Sequence, residues 1–238
     1  MGEQAKLVEV KDLVQKFLLK RVLDGISFNL LSGEALGIFG LRGSGKTALL
    51  HILAGVERFS SGQVEVLGCD IRKNPSFRQG IGLVTQEPSL FQDLNVLENL
   101  DFIASLKNAG PPDIERVILQ LELKDYLRYP VNSLEAGVYQ RLSLACAILN
   151  SPRLLILDEV IKDIDIYSRH LILQGLEPFL ASGGGVVCGF SNIEMSAYFN
   201  RVAWLEKGQM EILSPGEARD KWIQLLESFK KPGDWDAE

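Results

Sequence analysis

Gly40-Leu41-Arg42-Gly43-Ser44-Gly45-Lys46-Thr47 follows directly on the apolar run Ala35-Leu36-Gly37-Ile38-Phe39 and leads into Ala48-Leu49-Leu50-His51-Ile52-Leu53. Glycines at this spacing before Lys-Thr, between a buried-strand pattern and a helical one, predict a phosphate-binding loop. Its backbone N–H groups wrap around phosphate oxygens, Lys46 reaches the β and γ oxygens, and the Thr47 hydroxyl is positioned for Mg²⁺. A helix starting near Lys46 adds the positive end of its dipole. The expected ligand is a nucleoside triphosphate with its magnesium ion.

Outside the loop, 238 residues that are 46 % hydrophobic suffice for a substantial core, arranged as one mixed domain or two closely joined lobes. No apolar run approaches the roughly eighteen residues that read as a membrane span. The amino end, Met1-Gly2-Glu3-Gln4-Ala5-Lys6, lacks the apolar stretch of a signal peptide, so the expected compartment is the cytoplasm. A formal charge of −6 without a dense Lys/Arg block argues against nucleic-acid binding, which draws on clustered phosphate neutralisation. Cys69, Cys146 and Cys188 have neither a close pair nor metal-ligand spacing and are expected to be reduced, mostly buried thiols. His51 and His170 fall on helical patterns without a ligand partner at metal spacing.

Leu7-Val8-Glu9-Val10 and Ile26-Ser27-Phe28-Asn29-Leu30 alternate apolar and polar residues as half-buried strands do, and Leu31-Ser32-Gly33-Glu34 supplies a turn into the strand before the loop. Val64-Glu65-Val66 and Ile81-Gly82-Leu83-Val84 add two strands. From about Asn95 to Leu123 the period becomes helical, which marks a lobe boundary; Pro111-Pro112 interrupts this stretch. Tyr129-Pro130 breaks the chain again before a helical pattern from Val138 to Leu149. Leu154-Leu155-Ile156-Leu157 is a continuous apolar run suited to a central parallel strand, and it ends in Asp158-Glu159. At the carboxyl end of such a strand Asp158 supports Mg²⁺ and Glu159 polarises an attacking water. A helix from about Asp165 to Leu180, the Gly183-Gly184-Gly185 break and the run Val186-Val187-Cys188 complete another unit, and the alternation predicts an α/β sheet. Ser214-Pro215-Gly216-Glu217 predicts a capped helix to about Phe229, with a polar, frayed tail after Lys231.

The order of these pieces resembles the nucleotide-binding subunit of ATP-binding-cassette (ABC) transporters over nearly the whole chain. The resemblance implies an ABC-type P-loop ATPase with an antiparallel β portion, a mostly parallel core sheet flanked by helices, and an inserted helical lobe. Residues 1–86 and 151–213 then form the core and β portion, 87–150 the helical lobe, and 214–238 a carboxy-terminal helix and tail. The resemblance places the ATP and Mg²⁺ ligands on Gly40, Arg42, Gly43, Ser44, Gly45, Lys46, Thr47 and Ala48, with Asp158 as a further metal ligand. Phe17 stands where the family stacks an aromatic ring on adenine. Gln86, in Val84-Thr85-Gln86-Glu87-Pro88, occupies the Q-loop position that senses Mg²⁺ and the attacking water, beside Glu159 as the catalytic carboxylate. Asp165 matches the aspartate that touches the opposite subunit. Asn95-Val96-Leu97-Glu98-Asn99-Leu100-Asp101-Phe102 looks like the start of the helical lobe in drug or polysaccharide exporters.

Four positions depart from the family pattern. Its signature loop, Leu-Ser-Gly-Gly-Gln, reads here Leu134-Glu135-Ala136-Gly137-Val138, so a carboxylate replaces the serine hydroxyl that meets the γ-phosphate held by the other subunit. The histidine expected after the strand beyond Asp165 is Phe190 or, with a one-residue shift, Ser191. Ala48 replaces a hydroxyl and Val160 a proline. The resulting expectation is a Mg-ATP-binding transporter subunit that pairs with a second, more intact nucleotide-binding chain beneath separate transmembrane subunits, at the inner face of the membrane. Hydrolysis is then weak or asymmetric. A regulatory, non-hydrolytic ATP-binding subunit is the alternative, and the arrangement from Gln86 to Gly137 disfavours a P-loop kinase or GTPase.

Overall fold

The computed structural model describes residues 5–18 and 20–229. Two sheets organise them. The first is antiparallel, in the order β2 (Lys20–Leu31), β1 (Lys6–Phe17), β4 (Ser61–Val66), β5 (Cys69–Asp70). The second has the order β10 (Gln209–Leu213), β9 (Arg201–Glu206), β3 (Ala35–Phe39), β8 (Gly185–Phe190), β7 (Leu154–Asp158), β6 (Ile81–Val84). All neighbours in it are parallel except β10, which runs antiparallel on β9. All seven of the sequence-predicted strands lie within these elements; β9 and β10 carry no equally clean pattern.

The central strands β3, β7 and β8 are buried at every position, so their apolar residues sort by alternation onto the two faces. Leu36, Ile38, Leu154, Ile156 and Val187 face a core closed by the antiparallel sheet and α1 (Lys46–Leu53). Phe39, Leu155, Leu157, Cys188 and Phe190 face a second core closed by the remaining helices. These are α2 (Val96–Lys107), α3 (Pro111–Gln120), α4 (Ala136–Ile148), α5 (Ile166–Ala181) and α6 (Pro215–Phe229). Gly37 allows this packing: a Cβ there would meet the Phe190 ring at 2.6 Å.

Caps set the helix ends. Asn95 and Glu98 form a reciprocal box at the start of α2, with both bonds at 2.8–2.9 Å. Pro111 and Pro112 occupy the first turn of α3 and so begin a helix where the sequence suggested an interruption, because proline needs no N–H there. The expected Ser214–Glu217 box opens α6, with Ser214 N–H donating to Glu217 at 2.7 Å. The expected tail after Lys231 lies outside the described residues. Lys107 reaches from α2 to the carboxyl end of α4, donating to the Ala147 carbonyl at 2.9 Å. Burial lowers its pKa while the helix end welcomes its charge. The thiols are free, and burial pushes Cys146 up to about 12. Among the described residues no helix is long and apolar enough to cross a membrane, and no cluster of three His, Cys, Asp or Glu residues is placed to hold a metal.

Candidate nucleotide site

The phosphate loop connects β3 to α1, and β7 lies one strand beyond β8, so the ends of β3, β8 and β7 converge on one edge of the sheet. Ligands of open α/β sheets bind outside these carboxyl ends. Gly43 and Gly45 take φ of 80° and 107°, a left-handed backbone that L side chains rarely adopt. Gly45 also packs against β2, where a Cβ would stand 3.1 Å from Val22, which joins the antiparallel sheet to the loop. A Cβ on Gly40 would meet the Leu205 carbonyl at 2.7 Å.

Lys46 Nζ donates to the Gly40 carbonyl at 2.7 Å and pairs with Glu159 Oε1 at 3.4 Å, both side chains being 8 % exposed. Thr47 Oγ1 donates to Asp158 Oδ2 at 2.7 Å. Glu159 leaves β7 with φ 54°, a strained conformation for a non-glycine residue, while its N–H donates to the Gly189 carbonyl at 3.0 Å. Ser191 Oγ donates to Glu159 Oε2 at 3.0 Å. Three sequence-distant segments thus meet around two carboxylates. Behind them Cys188 stays a neutral thiol, because burial raises its pKa and the neighbouring Glu159 and Asp158 add to the shift.

Two buried oxygens here, Ser44 Oγ and Asp158 Oδ1, have no partner among the described residues. Buried polar atoms are rarely left unsatisfied, and both lie where a triphosphate and its metal supply what is missing. The residues therefore fit Mg-ATP: Lys46, Ser44 and the loop N–H groups toward phosphate, Thr47 and Asp158 toward Mg²⁺. The bound metal would neutralise phosphate charge.

The remaining sequence-selected residues are not drawn into this cluster. Phe17 sits at the end of the β1–β2 hairpin, 68 % exposed, so its ring is not core. Arg42 is exposed and Ala48 half-buried, neither making a side-chain bond among the described residues. Gln86 is exposed two residues beyond β6. The segment after it is held from the helical lobe, where the Tyr139 hydroxyl accepts from Ser89 N–H at 2.9 Å and the wholly buried Asn99 exchanges two 3.0 Å bonds with the Phe91 backbone. Tyr139 stands beside the signature residues and Asn99 within the predicted helix, yet nothing in either sequence context marks these long-range bonds.

Phe190 lies inside β8 with its ring in the core, 5.5 Å from Phe39, whereas Ser191 is the first residue past the strand. Of the two residues on which the family's histidine position falls, Ser191 has its side chain at the acidic cluster and Phe190 in the core. Val160 is 1 % exposed and packs in the core after the acidic pair.

At the signature segment, Glu135 is the N-cap of α4, exposed, and its side chain caps nothing. Leu134 is half-buried, Ala136 exposed and Gly137 buried. Asp165 caps α5 by accepting from Ser168 N–H at 2.7 Å, and this bond holds its carboxyl below the usual range. Its other oxygen crowds Gly137, where a Cβ would also stand 2.7 Å from Ser168 Cβ. Gly137 is thus required within the subunit, by close approach of the α4 and α5 amino ends. Gly137→Ala is expected to cost about 2 kcal/mol of stability by overpacking, and Asp165→Ala about 1 kcal/mol by loss of the cap. The Asp165 contribution is full above its unfolded pKa of 3.8 and is lost as pH falls through the lowered folded value. Denaturant melts of both variants and the double variant check this: the double costs less than the sum, because removing Asp165 makes room. Strict additivity would contradict the contact.

A glycine-rich loop between strand and helix, facing an acidic strand end across a parallel sheet, defines a P-loop nucleotide-binding protein. The family model described as "ABC transporter" matches residues 23–162, and the chain belongs to that family. It is 34 % identical over 173 residues to the spermidine/putrescine import ATP-binding protein of Bacteroides fragilis, covering 71 % of this chain and 38 % of that protein. It is 33 % identical over 181 residues to the Nod factor export ATP-binding protein I of Rhizobium meliloti, covering 74 % and 54 %. The chain thus spans between about two fifths and just over half of these relatives. An ABC transporter ATP-binding subunit of known structure superposes with a TM-score of 0.83 at 22 % identity, over 94 % of this chain and all of that one. A dimeric cassette bound to ADP and Pi superposes with a TM-score of 0.79 at 24 % identity, over 86 % and 96 %.

Proposed function

We propose that this chain is the Mg-ATP-binding subunit of an ABC transporter, working with a second, more intact nucleotide-binding subunit beneath separate transmembrane subunits at the inner face of the membrane. The convergence of Lys46, Thr47, Asp158 and Glu159 on one strand end carries the reading: it supplies a cation for phosphate, a hydroxyl and carboxylate for the metal, and a carboxylate for water. In hydrolysis the water oxygen bonds to the γ phosphorus as the bond to the bridging oxygen breaks. The water's proton passes to Glu159 and on to the products. Lys46 and Ser191 hold the two oxygens of Glu159 beforehand, so that its orientation is set before substrate arrives.

Turnover in this chain's own site is slow, since Ser191 is short where the family carries an imidazole and its hydroxyl is engaged by Glu159. The exposed carboxylate of Glu135 at the α4 amino end opposes the approach of a partner's γ-phosphate. A regulatory subunit that closes on ATP without useful turnover draws on the same two substitutions, and a homodimer favours it because both sites then carry both defects.

Calorimetry with Mg-ATP tests the core of the proposal. The wild type is expected to bind ATP and GTP with similar affinity, because Phe17 offers a ring face and reads no base edge. Phe17→Ala is expected to weaken both about five-fold, from a stacking contribution of roughly 1 kcal/mol. Absence of nucleotide binding by the wild type overturns the proposal, and a large preference for one base removes the stacking role. Affinity capture from the source membranes is expected to bring down transmembrane subunits and a second nucleotide-binding chain with an intact signature.

A further inference from the structure

A small cavity of about 140 Å³ lies behind Glu159. Its polar lining is Glu159, Lys162, Asp163, Arg169, Ser191 and Asn192, over a floor of core side chains. Arg169 Nε is fully buried and has no hydrogen-bond partner among the described residues. Among the described residues neither its guanidinium nor the Lys162 ammonium has a carboxylate within salt-bridge distance. Asn192 accepts from Glu194 N–H through Oδ1, which leaves its amide N–H groups to donate.

A guanidinium with a buried, unsatisfied N–H is costly to maintain, and an anion relieves that cost. Glu159 already shares its charge with Lys46 and Ser191. Lys162 and Arg169 therefore face only Asp163 as an unengaged carboxylate, and the lining favours a small oxyanion. Orthophosphate suits three donor groups in such a volume, and position selects it over other anions. The attacking and leaving oxygens are in line across the γ phosphorus, so cleaved phosphate departs from ADP on the side of the attacking water, where Glu159 stands.

We infer that this cavity is a product-phosphate subsite, in which Lys162, Arg169 and the Asn192 amide receive orthophosphate after hydrolysis and before release. The inference rests on the proposed ATP hydrolysis at Lys46 and Glu159. Its test does not need turnover. Inorganic phosphate is titrated into the full chain saturated with Mg-ADP, followed by calorimetry and ³¹P line broadening, for wild type, Lys162→Gln, Arg169→Gln and Arg169→Lys. Wild type is expected to bind saturably in the millimolar range. Each Gln variant is expected to bind about ten-fold more weakly, as loss of a charge-assisted hydrogen bond requires, with Arg169→Lys in between. Lys162 is exposed, so its variant folds irrespective of what Arg169 does for stability. ATP affinity, measured separately without phosphate, should be the same in all four proteins; its absence in the wild type strikes the proposed function and leaves the phosphate titration readable. No saturable uptake by the wild type overturns the subsite. Equal phosphate affinity in wild type and both Gln variants also overturns it, since the ion then sits on the phosphate loop.

Discussion

Glu159→Gln in the assembled transporter is expected to remove at least two decades of ATP turnover from the site built on this chain's loop. A positioned general base contributes about 10²- to 10⁴-fold, and the amide keeps the shape while losing the basicity. The size of the loss in the whole complex depends on how much turnover that site supplies. The defect proposed for it is the missing imidazole, equivalent to one charge-assisted hydrogen bond of about 1.5 to 3 kcal/mol, or one to two decades. In the proposed dimer the opposite site faces Glu135. Two unit charges at 4 Å repel by about 1 kcal/mol in water and about 4 kcal/mol at an effective dielectric of 20, which spans one to three decades. Closure of the proposed dimer would move Glu135 from the first regime toward the second. On the proposed pairing, the Glu159 site is expected to be slow but competent and the site facing Glu135 slower. Glu135→Ser is the companion variant, expected to speed the partner's site by one decade or more, because the freed α4 amino end then offers a hydroxyl and N–H groups to the phosphate. Steady-state phosphate release from complexes carrying Glu159→Gln here, the equivalent change in the partner, or Glu135→Ser decides the ranking. Loss of turnover only with the partner's change would show that the missing histidine is the graver departure.

Lys46→Ala is expected to weaken Mg-ATP binding about a hundred-fold, and also to disturb the free protein. Removing one partner of a buried charge pair costs about 2 to 5 kcal/mol, of which about 2.7 kcal/mol corresponds to two decades in affinity. Before nucleotide arrives Lys46 is not idle: it is bonded to the Gly40 carbonyl and paired with Glu159. ATP binding exchanges these partners for phosphate oxygens. Without Lys46 the Glu159 carboxylate keeps its burial and only the Ser191 hydroxyl, so the free variant is destabilised unless that carboxylate is neutralised. The double variant Lys46→Ala/Glu159→Gln should recover much of the lost melting temperature and none of the lost affinity. Equal ATP affinity in wild type and Lys46→Ala removes the loop from the site altogether.

Patterns local to the chain determined much of this protein. The Gly-x4-Gly-Lys-Thr spacing, the run ending in Asp158-Glu159 and the period change near Asn95 sufficed for a phosphate loop, an acidic strand end and an α/β sheet with a helical insertion. They are readable because strand burial, helix period and the backbone freedom of Gly43 and Gly45 act over a few residues. Strands β9 and β10 escaped notice because Trp204 and the half-buried β10 positions owe their environment to α6 and the sheet edge, which no local pattern reports. Tertiary structure alone set Ser191 at the acidic pair and Phe190 in the core, since a one-residue step across a strand end moves a side chain from core to site. It also set Ser191 and Lys46 on the two oxygens of Glu159, pressed Asp165 against Gly137, and left Arg169 unpartnered beside a cavity. Each of these joins residues from different segments, and their distances follow from sheet order and helix packing, which sequence spacing does not encode.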